Sequence, residues 1–254
     1  MSIIDTHAHV EQLQDLEGSL QRAEQAGVSD IMAMSVDLAS MRKTLKLAAK
    51  YTKPKIHTAL GIHPGMIKPQ EQAEAFAFME TNIGQATAVG ETGLDYWYKW
   101  VRKDQAERAK QKDSFQFHVD IARRHDLPIV IHSRGAWADC LEMARSAGIK
   151  RALFHWYSGP VDVLQAILDC GYYVSTSPSV GYSPQSREAM SYAPLERILI
   201  ETDSPVRYKD GDTEYLSEPK DVIRTLQALA ALKNTEGPVV LAQVNQNARD
   251  FFKL

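Results

Sequence analysis

The stretch "IIDTHAHV", residues 3–10, sets His7 and His9 two positions apart behind Asp5, at the end of a short apolar run. Side chains of an extended strand alternate between faces, so His7 and His9 project to the same side. Two adjacent imidazoles pack poorly among apolar groups, but together they make a pincer for a borderline divalent cation. The same residue types recur further on. "GIHP" carries His63, "VGETGLDY" carries Glu91 and Asp95, and "IVIHSR" carries His132 and Arg134. "ALFHWYSG" carries His155, and "ILIETDSP" carries Glu201 and Asp203. An isolated H-x-H also suits a polar strand end capped by a turn. Imidazoles and carboxylates recurring at the ends of successive β-rich runs point instead to a metal site.

Those runs cover 3–7, 30–36, 56–61, 86–91, 128–132, 152–155, 172–176 and 198–201. Helical periodicity fills the gaps, over 16–25, 38–50, 72–82, 103–125, 137–146, 161–168 and 186–192, and continues over 218–232 and 239–252. Gly27, Gly148 and Gly171 each fall where a helix must stop before the next strand. Eight such repeats in 254 residues predict an α/β chain closed into a (β/α)8 TIM barrel, one domain spanning 1–254. An open doubly wound sheet shares the alternation. In a barrel the active site lies at the C-terminal ends of the strands, where the histidines and carboxylates fall. Residues 205–219 show neither period and read as a loop beside that face. His57, His118 and His125 lie away from the strand ends and read as ordinary surface or packing histidines.

Composition narrows the partners. With 44% hydrophobic and 24% charged residues, the chain is an ordinary globular protein. A formal charge of -3 speaks against a broad basic face for duplex nucleic acid, while leaving room for a small local patch. Small molecules or single-stranded nucleic acid are the expected substrates. No apolar run approaches bilayer length, and no basic region followed by an apolar stretch marks a secretory signal. Cys140 and Cys170 lack C-x-x-C spacing and read as reduced thiols, in keeping with a cytoplasmic location. No feature marks an obligate protein partner.

The ordered set "DTHAH", "GIHP", "GETGLDY", "IHSR", "FHWYSG" and "ETDSP" spans nearly the whole chain and resembles the TatD-type metal-dependent hydrolases of the amidohydrolase superfamily. The resemblance implies a (β/α)8 barrel holding one to three divalent ions, commonly two. It also implies hydrolysis of ester bonds, typically phosphodiesters of DNA. Carried over by position, His7, His9, Glu91 and Asp203 would hold one ion, and Glu91, His132 and His155 the second, with Glu91 shared. A carboxylate has two oxygens and can span two cations, whereas a neutral imidazole offers one lone pair. Mixed histidine and carboxylate ligands suit Zn2+, Mn2+ or Mg2+.

A metal-activated water would then serve as nucleophile, with Asp203 accepting its proton. His63 would donate a hydrogen bond to substrate or leaving group, or else order the turn before Pro64. Asp95 would orient a ligand or cap a turn, Arg134 would meet a phosphate or pair with an acid, and Glu201 would back a ligand or be a buried polar group. Three segments depart from the common family form. "WYKWVRKD" joins three aromatics to Lys99, Arg102 and Lys103; it suits base stacking or a rim loop packed on the next helix. Trp156 and Tyr157 replace smaller or different residues, and "VRYKDGDTEYLSEP" is suited to part of a lid. The leading expectation is a phosphodiester hydrolase acting as a deoxyribonuclease or exonuclease. Its rivals are a hydrolase of carboxylic esters, amides or lactones, including aminoacyl-tRNA esters, and a noncatalytic barrel binding a metal or ligand.

Overall fold

Alternate side chains of eight parallel strands meet inside a closed ring, while the others face a surrounding layer of helices. The computed structural model describes residues 2–254. The strands and the helices that follow them are β1 (Ile3–Ala8), α1 (Leu16–Gln25), β2 (Val28–Met34), α2 (Leu38–Lys50), β3 (Lys55–Leu60), α3 (Pro69–Asn82), β4 (Ala88–Gly93) and α4 (Gln105–Arg124). The second half continues as β5 (Ile129–His132), α5 (Trp137–Ser146), β6 (Ala152–Phe154), α6 (Val161–Asp169), β7 (Tyr173–Thr176), α7 (Pro184–Tyr192) and β8 (Ile198–Ile200). The sheet order is sequential from β1 to β8. It closes at the β1/β8 seam, where Thr6 Oγ1 donates to Ile200 O, Asp203 N to His7 O, and His9 N to Ser204 O. This is the expected (β/α)8 barrel.

Two apolar layers hold it. Ile4, Met32, Met34, Ala59, Ala88, Val130, Leu153 and Leu199 fill the ring, where the last helix, α9 (Gly237–Phe252), contributes Ala248, Phe251 and Phe252. Their strand neighbours Ile3, Ile31, Val89, Ile131, Phe154, Val174 and Ile200 pack outward in a separate layer with Phe115, Val119, Leu164 and Val240. Full burial of each larger apolar side chain among them is worth roughly 1.5–3 kcal/mol. Helices α2 and α4 start on side-chain caps that the sequence supplies in place: Asp37 and Ser40 form a reciprocal box at α2, and Asp104 accepts from Ala106 N and Glu107 N at α4. Gly27, Gly148 and Gly171 follow α1, α5 and α6 at positive φ, as the sequence suggests.

Residues 205–219 are not an irregular loop: they contain an antiparallel hairpin, β9 (Arg207–Asp210) and β10 (Thr213–Leu216), ahead of α8 (Val222–Lys233). Its turn is Gly211 and Asp212, with Gly211 at φ +60°. The Gly-Asp pair between two short runs is itself a hairpin signal, but the flanking residues are too polar to read as strands. Tyr208 anchors the hairpin, buried with its hydroxyl donating to Thr202 O at 2.8 Å and its ring 5.5 Å from that of Trp156.

Candidate metal centre

The chemistry-bearing side chains reach the barrel mouth through two irregular strands. On β1, the steps from Asp5 to Ala8 oppose only Ile31 to Ala33 of β2. On β4, Val89 to Thr92 oppose Ile129 to Ile131 of β5. Each strand therefore carries one extra residue. Ile4 and Ala88 face the interior, and strict alternation from them would turn His7 and Glu91 outward. The extra residue restores the inward facing. His9 stands past the end of β1, so its nearness to His7 rests on the seam bond from His9 N to Ser204 O, not on simple strand alternation.

Backbone conformation is matched to this task. Gly90 and Gly93 flank Glu91 at φ +157° and +139°. A Cβ on Gly93 would lie 2.0 Å from His132 O, so β4 and β5 approach too closely there for any side chain. Asp203 adopts φ +50° in the turn after β8. That turn is held by Asp5, fully buried, whose two oxygens accept from Thr202 N at 2.9 Å and Thr202 Oγ1 at 2.6 Å.

His7 Nε2, His9 Nε2, Glu91 Oε2 and Asp203 Oδ1 converge. Five of their separations are 3.4, 3.5, 3.3, 3.4 and 3.2 Å. Donors bound tetrahedrally at ~2.1 Å to one cation stand about 3.4 Å apart, so this set fits a cation without rearrangement. The other oxygen, Glu91 Oε1, lies 2.8 Å from both His132 Nδ1 and His155 Nε2, which are 3.4 Å from each other. That second triangle is drawn in to hydrogen-bond lengths. Glu91 thus presents one oxygen to each group, the geometry a shared ligand needs. Asp95 and Glu201 back the second group: His132 Nε2 meets Asp95 Oδ2 at 3.0 Å, and His155 Nδ1 meets Glu201 Oε1 at 3.3 Å. These contacts aim the opposite ring nitrogens at Glu91.

His63 stands beside the second group, its Nε2 3.3 Å from His132 Nδ1 and 3.7 Å from Glu91 Oε1. Its Nδ1 accepts from Gly65 N at 3.0 Å. A neutral imidazole so engaged carries its proton on Nε2, which makes His63 a donor into the site and leaves no lone pair there for a cation. Burial, reinforced by neighbouring His132, outweighs the pull of Glu91 and lowers the His63 pKa to about 3, so the ring is neutral.

The electrostatics call for positive charge. Glu91 is held well below the usual carboxylate range: burial opposes this, but His155 and His63 outweigh it, with hydrogen bonds from His132 and His155. Asp203 is lowered too, against burial, by His9 and His7. In return His9 and His155 are raised, against their own burial, by these carboxylates and by Glu201. Among the described residues no lysine or arginine pairs with Glu91, Asp95, Glu201 or Asp203. Either protons on imidazoles or bound cations must balance them, and the donor set suits a divalent cation.

The structure therefore brings His7, His9, Glu91, His132, His155 and Asp203 to one mouth, with His63, Asp95 and Glu201 around them. Arg134 lies outside, over the Trp97 ring at 4.9 Å. Two residues had no assigned part in the sequence. Asp5 braces the Asp203 turn, and its position just ahead of the H-x-H is the signal available for it. His118, fully buried on α4, donates from Nδ1 to Ser114 O at 2.7 Å and accepts at Nε2 from Ile62 N at 3.0 Å. It fixes the segment carrying His63, a role that needs the tertiary fold to be seen.

The family model described as TatD related DNase matches residues 4–253. A Mycobacterium tuberculosis protein described as an uncharacterized metal-dependent hydrolase, TatD, is 29% identical, covering 99% of this chain and 98% of its own. The human deoxyribonuclease TATDN3 is 24% identical, covering 99% of this chain and 95% of its own. Among solved structures, the Escherichia coli TatD homologue YjjV superposes with a TM-score of 0.89 at 25% identity, over 99% of this chain and 98% of that one.

Proposed function

The chain belongs to the TatD related DNase family, and from that membership we propose a divalent-metal-dependent hydrolase that cuts phosphodiester bonds of single-stranded DNA. The carrying observation is the split carboxylate: Glu91 offers Oε2 to His7 and His9 and Oε1 to His132 and His155. In this reading His7, His9, Glu91 and Asp203 hold one ion, and Glu91, His132 and His155 hold a second. Bound cations supply Lewis acidity, lowering the pKa of a water and offsetting charge on phosphoryl oxygens.

The side chains do the rest. Asp203, with 12% of its side chain exposed, faces the opening and accepts the proton of the attacking water. His63 donates from Nε2 to the leaving oxygen, a task that suits a neutral ring fixed by Gly65 N–H. Asp95 and Glu201 keep the His132 and His155 rings turned toward Glu91. No serine or cysteine nucleophile is required.

The test is a substrate panel with Mg2+, Mn2+ or Zn2+: a labelled single-stranded oligonucleotide, bis(p-nitrophenyl) phosphate and p-nitrophenyl acetate. The reading expects metal-dependent turnover of the first two. Turnover of the acetate alone would move the assignment to carboxylic esters, and binding of metal without any turnover would favour a noncatalytic barrel.

A further inference from the structure

Two of the four tryptophans stand out of the surface next to the metal centre: Trp97 is 60% exposed and Trp100 56%. Tryptophan is highly buried on average, so a pair of open indoles on one short loop asks for a ligand. The loop is held firmly. Val101 is buried, and Val101 N and Arg102 N donate to Tyr98 O at 3.0 and 2.9 Å. The Tyr98 ring stacks on Trp100 at 4.3 Å and 19°, and meets His63 edge-on at 6.4 Å. It also crosses Gly65, where a Cβ would fall 2.6 Å from its hydroxyl. Trp97 crosses Gly135 in the same way, since a Cβ there would fall 2.3 Å from the indole Cδ1. Trp97 N donates to Asp95 Oδ1 at 2.8 Å, and Asp95 is the residue that orients His132. The indoles are thus tied to the site rather than merely near it in sequence.

The charge beside them is positive. Among the described residues Lys99, Arg102 and Lys103 form no ion pair, Arg134 lies over one face of the Trp97 ring at 4.9 Å and acts on Asp95, and Asp104, the acid of this loop, is turned to the α4 N-terminus. We infer that Trp97 and Trp100 are stacking seats for unpaired bases of a DNA strand, with Lys99, Arg102 and Lys103 facing its phosphates. This rests on the phosphodiester reading above and makes it specific. Every base presents a π face once unpaired, so the seats select single strands with little sequence preference. Holding both rings in place before binding lowers the ordering cost. Neutral sugars also stack on indoles, but they give Lys99, Arg102 and Lys103 nothing to meet.

The test is fluorescence anisotropy of the metal-loaded protein with a hydrolysis-resistant phosphorothioate single strand and an abasic strand of equal length. Trp97→Ala and Trp100→Ala should each weaken the base-bearing strand roughly 5- to 150-fold, the range of one lost base stack. Trp100→Phe should keep most of the affinity, and the abasic strand should bind wild type and double variant alike. Circular dichroism checks that the exposed substitutions leave the fold intact. Equal binding by wild type and double variant overturns the inference, as does tight binding of the abasic strand or displacement by a neutral oligosaccharide. Parallel turnover of an unmodified strand keeps the two readings apart. Cleavage with tryptophan-independent binding removes the stacking seats alone, and tryptophan-dependent binding without cleavage removes the hydrolysis alone.

Discussion

At the scale of single residues, Glu91 and His63 have separable tasks. Glu91→Gln keeps shape but removes the charge that faces both donor groups. It should lose one metal equivalent by elemental analysis and at least about 100-fold in phosphodiester turnover, with an unchanged circular dichroism spectrum. Full metal content and near wild-type turnover would contradict the shared-ligand geometry. His63→Ala should behave differently, because its Nδ1 is occupied by Gly65 N–H and its Nε2 is a donor. Metal content should stay at the wild-type value while kcat falls roughly 100- to 1000-fold, as for loss of one preorganised donor. Loss of a metal equivalent instead would make His63 a ligand.

The clustering of these imidazoles and carboxylates at one rim was legible in the sequence because such residues recur at successive strand ends. Their backing was less so. Asp95 and Glu201 read with two meanings each, and only the contacts to His132 and His155 decide between them. Asp5 carried no assigned part, because its bonds to Thr202 join positions far apart in the chain.

At the scale of elements, the strand irregularities matter most. A pattern of alternation cannot show where one strand gains a residue on its neighbour, so the inward turn of His7 and Glu91 was hidden. Gly93 makes one such place falsifiable. Gly93→Ala sets a methyl 2.0 Å from His132 O at φ +139°, which should cost about 1–3 kcal/mol or more. A thermal midpoint lowered by several degrees is expected; one within a degree of wild type would show that β4 and β5 can part cheaply. The hairpin of β9 and β10 was hidden for a related reason, its strands being mostly polar, with Tyr208 as a buried anchor.

His118 links α4 to the segment bearing His63, and its burial lowers its pKa to about 4 against the donor bond to Ser114 O. The unfolded chain binds that proton from about pH 6.5 downward. Between about 6.5 and 4 the unfolded state therefore holds more protons, and stability falls as pH drops, by up to about 1.4 kcal/mol per unit. Above this window the group adds no slope. His118→Gln, which keeps an acceptor for Ile62 N, should lose this contribution, so urea unfolding at pH 4.5 to 7.5 should show the variant closing on wild type as pH falls. Parallel stability curves would contradict it.

At the scale of the whole molecule, closure of the ring is what makes the site. His7 and His9 come from the first strand's end and Asp203 from the turn after the eighth, 194 positions away from His9 in sequence. They meet only because the seam bonds Asp203 N to His7 O and His9 N to Ser204 O join the two ends of the sheet. The alternation of elements foretold this closure well, since eight repeats leave few other ways to bury both faces of the strands.

The most direct test of a divalent-metal hydrolase is to strip the wild-type protein with a chelator and titrate it with Mn2+ while following cleavage of a single-stranded oligonucleotide. The account predicts a folded, inactive protein after stripping, with cleavage returning as two equivalents bind per chain. Undiminished cleavage by the stripped protein would contradict it.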